Sequence, residues 1–563
     1  MTATASLWTH PGLWLIAAGV AAFVVRGRAR AVLVLAAPVA AAALLWLLPE
    51  GSGARCAFLG HELTPMRVDG LARVFATIFA VMAFAGGLFA LPQRSRLEVP
   101  AALVYAGAAI GAVLAGDLLT LFVFWEVMAI GSTMVLWSAG PGAAAASRRY
   151  LLMHLLGGMF LMAGIAGYVV QTGSIAFEAM RPDNVAKALI LAGFLLNAGA
   201  PPFSAWLPDA YPEASWSGMV FLSAFTTKTA VYVLLRGFPG AEILLAIGIF
   251  MIFYGIVYAI LENDMRRILA YSIVNQVGFM VAGAGLGTEM AINGAAAHAF
   301  THIIYKALLL MSAGAVLLQT GRRKCTDLGG LFQSMPLTAA CGIVGALSIS
   351  SFPLTSGFVS KSMIAQVAAD EHLALVWLLL NAASAGVFLH AGIKFPWFVF
   401  FQKDSGLRPP DPPWPMRAAM LLLAFLCIAL GVLPGPLYAL LPYPVQFVPY
   451  TAAHVVSQLQ LLLFSGLAFF LLLPWLRRTL TVTLDTDWAY RRLAPAGARA
   501  AAAVLRNGRA ALSATLAPWS RRGRTLLGAL VGPVGYFARP SSTRAMALAV
   551  AVFLLIFLLI SYR

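Results

Sequence analysis

Long apolar segments recur along the whole chain, and they restrict what it can fold into. A helix needs about 20 mainly apolar residues to cross a bilayer, and such segments follow one another between residues 11 and 561. In lipid every backbone N–H and C=O must be paired internally, and the segments lack the short alternating pattern of barrel strands. The sequence therefore predicts an all-α polytopic membrane protein with about 14–16 transmembrane helices.

The charge distribution supports this interpretation. Only 10% of the 563 residues are charged and 61% are hydrophobic, whereas soluble domains carry roughly 25% charged residues. The net charge of +17 comes from arginines in short loops and in the C-terminal tail, as the positive-inside rule expects. We therefore expect a lipid bilayer around the chain and no nucleic-acid partner. The basic loops place the N-terminus outside, and the first segment is expected to be a spanning helix rather than a cleaved signal.

Cofactor motifs are not evident in the sequence. The four cysteines have no metal-ligand spacing; they are Cys56, Cys325, Cys341 and Cys427. The glycine-rich "GAGLG" at 283–287 lies inside an apolar run, whereas a dinucleotide loop follows a strand and opens a helix. We expect no bound cofactor and no metal.

Two apolar segments are interrupted in corresponding positions. One covers 197–215 and contains four prolines; the other covers 350–364 and contains Pro353 and Gly357. Irregular backbone at membrane depth is tolerated only where protein or a wet cavity surrounds it. Paired interruptions of this kind are typical of inverted repeats, and the spacing fits two inverted five-helix repeats with broken helices.

Five regions follow from this pattern. They are N-terminal transmembrane helices (1–98), a first repeat (99–262), a second repeat (263–402), C-terminal transmembrane helices (403–478) and a basic lateral segment with a final span (479–563). In the last region Arg499, Arg506 and Arg509 share a helix face. This favours an amphipathic helix in the membrane interface; the alternative is a basic linker without fixed structure.

Two ionisable residues interrupt apolar helices in the first half. A charge at the bilayer centre costs roughly 2.5–3.5 kcal/mol, so such residues are typical of ion or proton paths. Glu126 lies nine residues beyond Asp117, about 13 Å into its helix; the alternative is an acid near the headgroups. Lys228 lies eight residues before Arg236, about 12 Å from that end; the alternative is a snorkelling lysine.

The second half carries a longer titratable stripe. His298, His302 and Lys306 are spaced four and four, so they share one helical face. Neutral histidine both donates and accepts, which suits a proton relay; a metal site is the rival interpretation. Lys361 and Lys394 are further candidates, although Lys361 could equally mark a membrane edge.

Several motifs occur together and in order. They are "LLTLFVFWE", "WLPDAYPEA" with "TKTAVYVLLR", "DMRRILAYS", "HAFTHIIYKALLLMSAGA" and "FPLTSGFVSK". In these motifs, over about residues 65–400, the chain resembles the antiporter-like membrane subunits shared by Mrp-type cation/proton antiporters and respiratory complex I. It looks most like the D-type component of an Mrp-type sodium/proton antiporter.

The resemblance implies both a function and roles for the residues. It implies a proton-translocating subunit of a multi-subunit Na⁺/H⁺ antiporter in the bacterial inner membrane, working with other membrane subunits and moving H⁺ and Na⁺ rather than acting as an enzyme. The alternatives are a proton-pumping subunit of a redox complex, such as NADH:quinone oxidoreductase or a membrane hydrogenase, and a proton channel in inorganic-carbon uptake. By resemblance Glu126 is the key glutamate, Lys228 the lysine of the first broken helix, and Lys394 the corresponding group of the second half. The row of His298, His302 and Lys306 corresponds to the central relay.

The sequence departs from this family at three positions. Asn197 stands where relatives often have lysine, Ser204 where they have histidine, and Arg266 where they often have lysine. Arginine does not release its proton, so Arg266 would act as a fixed charge on any proton path. Our hypothesis from the sequence is that Glu126 and Lys228 form a switch, and that the histidine row conducts protons from it.

Overall fold

The structure is a computed structural model, and it describes residues 7–58, 60–475, 485–535 and 542–561. Helices dominate it. In the first half they are α1 (Pro11–Val24), α2 (Gly27–Leu47), α3 (Gly70–Phe89), α4 (Glu98–Leu114), α5 (Leu118–Trp137), α6 (Ala144–Thr172), α7 (Val185–Ala198), α8 (Trp206–Ala210), α9 (Gly218–Ala224), α10 (Thr226–Gly237) and α11 (Glu242–Leu261).

The remaining helices follow in the second half. They are α12 (Met265–Leu286), α13 (Glu289–Thr320), α14 (Pro336–Ile349), α15 (Ser356–Asp370), α16 (Ala374–Val387), α17 (Trp414–Val432), α18 (Gly435–Tyr438), α19 (Ala452–Leu471), α20 (Ala494–Val531) and α21 (Thr543–Ser561). Short π-helical segments cover Phe388–Lys394, Trp397–Phe401 and Ala489–Leu493. Single 3₁₀ turns cover Leu7–Thr9, Pro141–Ala143, Tyr211–Glu213, Cys325–Asp327 and Leu331–Gln333.

The helices have the length and composition of membrane spans. Within the described ranges, twelve helical segments are long and apolar enough to cross a membrane, and α1, α4, α7 and α14 are shorter apolar helices. The prediction of an all-α polytopic membrane protein is therefore confirmed. The interior lies around α10, α12 and α13, whose spans are almost entirely buried, whereas α11, α16 and α19 expose apolar faces.

A β-hairpin between α2 and α3 was not predicted from the sequence. Strands β1 (Gly53–Phe58) and β2 (His61–Arg67) pair antiparallel. The hairpin holds the start of α5, because the Thr64 amide donates to Asp117 Oδ2 at 2.7 Å. Asp117 also caps α5 by accepting from the Thr120 amide at 2.7 Å, as N-cap aspartates do. The start of the helix that carries Glu126 is thus fixed at both its cap and its flank.

The two predicted helix interruptions are present. Helix α7 ends at Ala198 because Gly199 adopts a φ of +77°, and the Trp206 indole donates to the Leu196 carbonyl at 2.9 Å. The second break separates α14 from α15, where Ser351 and Leu354 also have positive φ. The broken helices are confirmed, while the inverted relation of the two halves stays a prediction.

The described chain divides into two compact units. The first ends at Asp487 and the second begins at Trp488; the predicted boundary between 478 and 479 lies outside the described residues. In the second unit α20 is a 38-residue helix with Arg499, Arg506 and Arg509 exposed. The predicted helix is confirmed, and its position in the membrane interface stays a prediction.

Candidate functional site

The titratable stripe lies in the centre of α13. His298, His302 and Lys306 are all completely buried, at 0% exposure, and the rings of the two histidines are 6.1 Å apart. Thr288 caps this helix by accepting from the Ala291 amide at 3.2 Å, so the stripe begins more than two turns inside it. Three titratable groups therefore follow one another along the buried helix, as their spacing predicted.

Lys228 lies against the same stripe. It is completely buried, and its Nζ donates to the Ser223 carbonyl at 2.6 Å and to Thr227 Oγ1 at 3.1 Å. The break between α9 and α10 at Phe225 makes this possible, because the last carbonyls of a helix have no partner within it. Lys228 is close enough to interact electrostatically with His298, His302 and Lys306.

Lys306 extends the row toward α12. Its Nζ donates to Ser272 Oγ at 2.8 Å and to the Leu269 carbonyl at 3.3 Å. The neighbouring Tyr305 hydroxyl donates to Gln276 Oε1 at 3.1 Å. These partners are all neutral, so they stabilise an ammonium by hydrogen bonds without cancelling its charge.

Lys361 approaches the row from the second broken helix. It lies in α15 at 3% exposure, its Nζ has no hydrogen-bond partner, and it stands 5.0 Å from the centre of the Phe279 ring. The preceding Ser360 is 3.5 Å from His298 Nδ1. Lys361 and His298 are also within electrostatic range. The structure therefore places Lys361 in the interior and beside the histidines.

Lys394 occupies a different environment. Its Nζ donates to the carbonyls of Ala259, Ile260 and Glu262, with distances of 3.2 Å to Ala259 and 2.6 Å to Glu262. Lys394 therefore caps the C-terminal end of α11, where a cation is favourable. His390, one turn earlier, lies within electrostatic range of Lys306, Lys361 and Lys394. His390 and Lys394 thus lie near the row that Lys228, His298, His302 and Lys306 form.

Several nitrogens in the row and beside it have no protein partner. Buried polar atoms of this kind are normally satisfied by ordered water; here they are His298 Nε2, both ring nitrogens of His302, Lys361 Nζ and His390 Nε2. Within the described ranges, no group of three His, Cys, Asp or Glu side chains could hold a metal ion. The arrangement suits proton transfer between side chains and water.

Glu126 lies apart from this row. Its side chain is half-buried, its Oε1 has no hydrogen-bond partner, and it packs on Gly158 of α6, where an added Cβ would lie 2.1 Å from Oε1. Among the described residues no ion pair joins Glu126 to Lys228, whose Nζ is held by Ser223 and Thr227 instead. The Glu126–Lys228 pair of our switch hypothesis is not formed in this conformation.

The structure shows what Arg266 and Asn197 contact, the residues at two of the three positions where the sequence departs from the family pattern. Arg266 is 2% exposed, and it donates to the carbonyls of Pro212, Ala214 and Ser215 at 2.7–2.9 Å. It therefore holds the loop after the first broken helix. Asn197 Oδ1 accepts from His154 Nδ1 of α6 at 3.0 Å.

His154 is a candidate that sequence reasoning missed. It is 1% exposed and lies in the apolar stretch "LLMHLLGG". The signal was the same as for Glu126, a lone titratable residue within a span, but lone histidines are usually satisfied core groups. Only its neighbours in space distinguish it.

Just outside the membrane spans, an ion-pair cluster adjoins the Arg266 loop. Arg323 binds Asp264 at 2.8 Å and Glu213 at 3.0 Å. Burial raises the pKa of the Asp264 carboxyl, and Arg323 opposes that increase. The cluster fixes the start of α12 to the loop that precedes α9.

Comparisons with known proteins agree with this architecture. Residues 115–387 match the family model described as "NADH:quinone oxidoreductase/Mrp antiporter, TM". The A/B-type component of a probable K⁺/H⁺ antiporter from Rhizobium meliloti is 30% identical over 67% of this chain and 41% of its own length. The D-type component of the Na⁺/H⁺ antiporter from Alkalihalophilus pseudofirmus is 30% identical over 54% of this chain and 67% of its own length.

A solved structure extends the likeness to most of the fold. A chain of the Mrp complex from Dietzia sp. DQ12-45-1b matches with a TM-score of 0.77 at 25% identity, covering 92% of this chain and 62% of that chain. The chain thus spans less than half of the Rhizobium relative and about two thirds of the other two. It contains the helix breaks and the buried row within the matched region, and it belongs to the NADH:quinone oxidoreductase/Mrp antiporter family of membrane subunits.

Proposed function

We propose that this chain is the proton-translocating membrane subunit of a multi-subunit monovalent cation/proton antiporter, exchanging H⁺ for Na⁺ across the bacterial inner membrane. The observation that carries the proposal is the buried row of Lys228, His298, His302 and Lys306. The names of the relatives, which are components of K⁺/H⁺ and Na⁺/H⁺ antiporters, support the class of transport.

The energetic cost of the row favours function over packing. Each ionisable group in a span costs roughly 2.5–3.5 kcal/mol on insertion scales. A leucine or alanine at the same place would cost nothing, and α13 has many of both. Lysine and histidine side chains can be neutral when deprotonated and charged only while they carry a proton. This lowers the average cost of placing the row within the membrane.

The position of Glu126 indicates partner subunits. Its half-buried side chain lies on α5 between Val123 and Ile130, which are 59% and 54% exposed. A carboxyl near the bilayer centre that faced lipid would be costly. We therefore propose that another membrane protein of the antiporter complex covers this face and closes the site around Glu126.

A substitution in the row tests the proposal. Lys306→Met keeps the length of the side chain and removes the titratable group, and Lys187→Met is its control because Lys187 pairs with Asp183 on the surface at 2.9 Å. The measurement is Na⁺- or K⁺-driven proton movement in inverted membrane vesicles that contain the whole complex, followed with a pH-sensitive dye.

We expect Lys306→Met to lower the rate more than about 100-fold, the scale of general acid–base catalysis, with the Lys187→Met rate unchanged. Equal amounts of assembled complex must be present in both vesicle preparations. Wild-type transport by Lys306→Met at normal assembly would contradict the proposal.

A proton-pumping role in a redox complex is the second candidate, because the matching family model describes both classes of protein. The two differ in their partners. Purification of the tagged chain from native membranes should yield small antiporter subunits in the first case, and flavin or iron–sulfur subunits in the second.

A further inference from the structure

Three polar side chains from three helices converge on one turn of α6. Glu126 Oε1 lies against Gly158, and Asn197 Oδ1 lies 3.2 Å from where a Cβ of Gly157 would be. His154 stands one turn earlier on the same helix, with its Nδ1 3.0 Å from Asn197 Oδ1. Because residues four apart share a helical face, His154 and the Glu126 carboxyl lie along one side of α6.

His154 is bonded through only one of its nitrogens. Its ring is buried between Tyr150 and Trp206, with centroid distances of 4.1 and 4.8 Å. Asn197 Oδ1 can only accept, so Nδ1 is the donor and Nε2 is the basic nitrogen of the neutral ring. Nε2 has no protein partner. A core histidine with a purely structural role would normally have both nitrogens bonded.

Tyr150 lies between His154 and the helix that carries Lys228. Its hydroxyl lies within interaction range of the Ser132 and Thr226 hydroxyls. The next residue after Thr226, Thr227, accepts from Lys228 Nζ at 3.1 Å. Tyr150 thus adjoins both the His154 ring and Thr226, which is one residue away from the threonine that holds Lys228.

We propose that His154 carries protons between Glu126 and Lys228 in this chain, with Tyr150 as the group that connects it to Thr226. This assignment rests on the proposed function. In this assignment the titratable group stands on α6, facing Asn197 of α7. Asn197 is then a positioning residue that fixes the ring of His154.

Two conservative variants test the assignment. His154→Gln keeps an amide that can bond to Asn197 and removes proton uptake, and Tyr150→Phe removes only the hydroxyl. The matched controls are His454→Gln, whose imidazole bonds to the Pro449 carbonyl at 2.7 Å, and Tyr211→Phe. Tyr211 belongs to the same aromatic cluster, 5.6 Å from the Trp206 ring, and its hydroxyl has no partner.

The measurement is cation-driven proton movement by the whole complex in inverted vesicles, as for Lys306→Met. We expect His154→Gln and Tyr150→Phe each to lower the rate at least about tenfold, with both controls near the wild-type rate. The two tyrosine rings pack in the same aromatic cluster, 6.4 Å apart, so a loss confined to Tyr150→Phe points to its hydroxyl beside Thr226 and not to ring packing.

Normal transport by His154→Gln overturns the assignment, as does an equal loss in the two tyrosine variants. The result is separable from the proposed function. If Lys306→Met abolishes transport while His154→Gln does not, only the role of His154 is wrong; if Lys306→Met has no effect, the proposed function itself fails.

Discussion

Gly158 offers a sharp test of the environment of Glu126, because the two lie in direct contact. In Gly158→Ala the new methyl carbon would lie 2.1 Å from Glu126 Oε1. Non-bonded atoms need about 3.5 Å, so the carboxyl must move by about 1.4 Å. The carboxyl is the far end of a flexible side chain, and it can move without displacing backbone.

The expected loss of transport follows from this displacement of the carboxyl. Alanine in a helix is about 1 kcal/mol more favourable than glycine, so we expect α6 to fold and the protein to accumulate normally. A misplacement of about 1 Å can cost about 100-fold in a reaction that depends on alignment. We therefore expect transport to fall by about that factor at unchanged assembly.

The assay is the dye-based vesicle measurement, with the amount of complex determined separately. Gly142→Ala is the control, since no atom lies within 4 Å of its added Cβ. If Gly158→Ala transports at the wild-type rate, the position of the Glu126 carboxyl is not important for transport, and the argument from its contact with α6 is refuted.

Two further predictions concern stability. In Gly357→Ala the added Cβ would lie 1.8 Å from the Ser348 carbonyl oxygen, which belongs to the backbone and cannot move freely. We therefore expect the variant to be destabilised by roughly 1–3 kcal/mol or more, measured as a lower midpoint of thermal unfolding in detergent. An unchanged midpoint would contradict the close approach of α14 and α15. In Arg266→Met the Ala214 carbonyl loses its donor, while the carbonyls of Pro212 and Ser215 keep only longer bonds from Arg323 and Met219. This should cost about 1–3 kcal/mol, whereas Arg322→Met at an exposed site should leave the midpoint unchanged. Equal midpoints for the two variants would show that Arg266 does not hold this loop.

Much of the architecture could be predicted because its causes are local. Apolar length predicts spans, and the prolines and glycines of 197–215 and 350–364 predict where the helices break. The spacing of His298, His302 and Lys306 places them on one face whatever the rest of the chain does. That face is expected to be buried in protein, because ionisable side chains facing lipid would cost several kcal/mol.

Other features depend on how helices rotate against each other, which the spacing along one helix does not contain. The sequence suggested Lys228 as the partner of Glu126, yet Glu126 packs on Gly158 of α6. Lys394 could not be distinguished as a helix cap, because its acceptors come from α11. The β-hairpin was missed because two short strands between spans give only a weak pattern.

The charge balance of the row supports the proton conduction that we propose for it. None of the ion pairs within the described part of the chain includes Lys228, Lys306 or Lys361. Two unit charges 10 Å apart repel by about 1.7 kcal/mol at an effective dielectric constant of about 20, more than a factor of ten in occupancy. When one base of such a row takes up a proton, its charge repels the charges on the other bases. Uptake at one end of the row therefore favours proton release at the other end. A buried carboxylate beside each lysine would hold the protons in place instead. In the function that we propose, Glu126 therefore lies outside the row, where it can influence protonation without trapping charge.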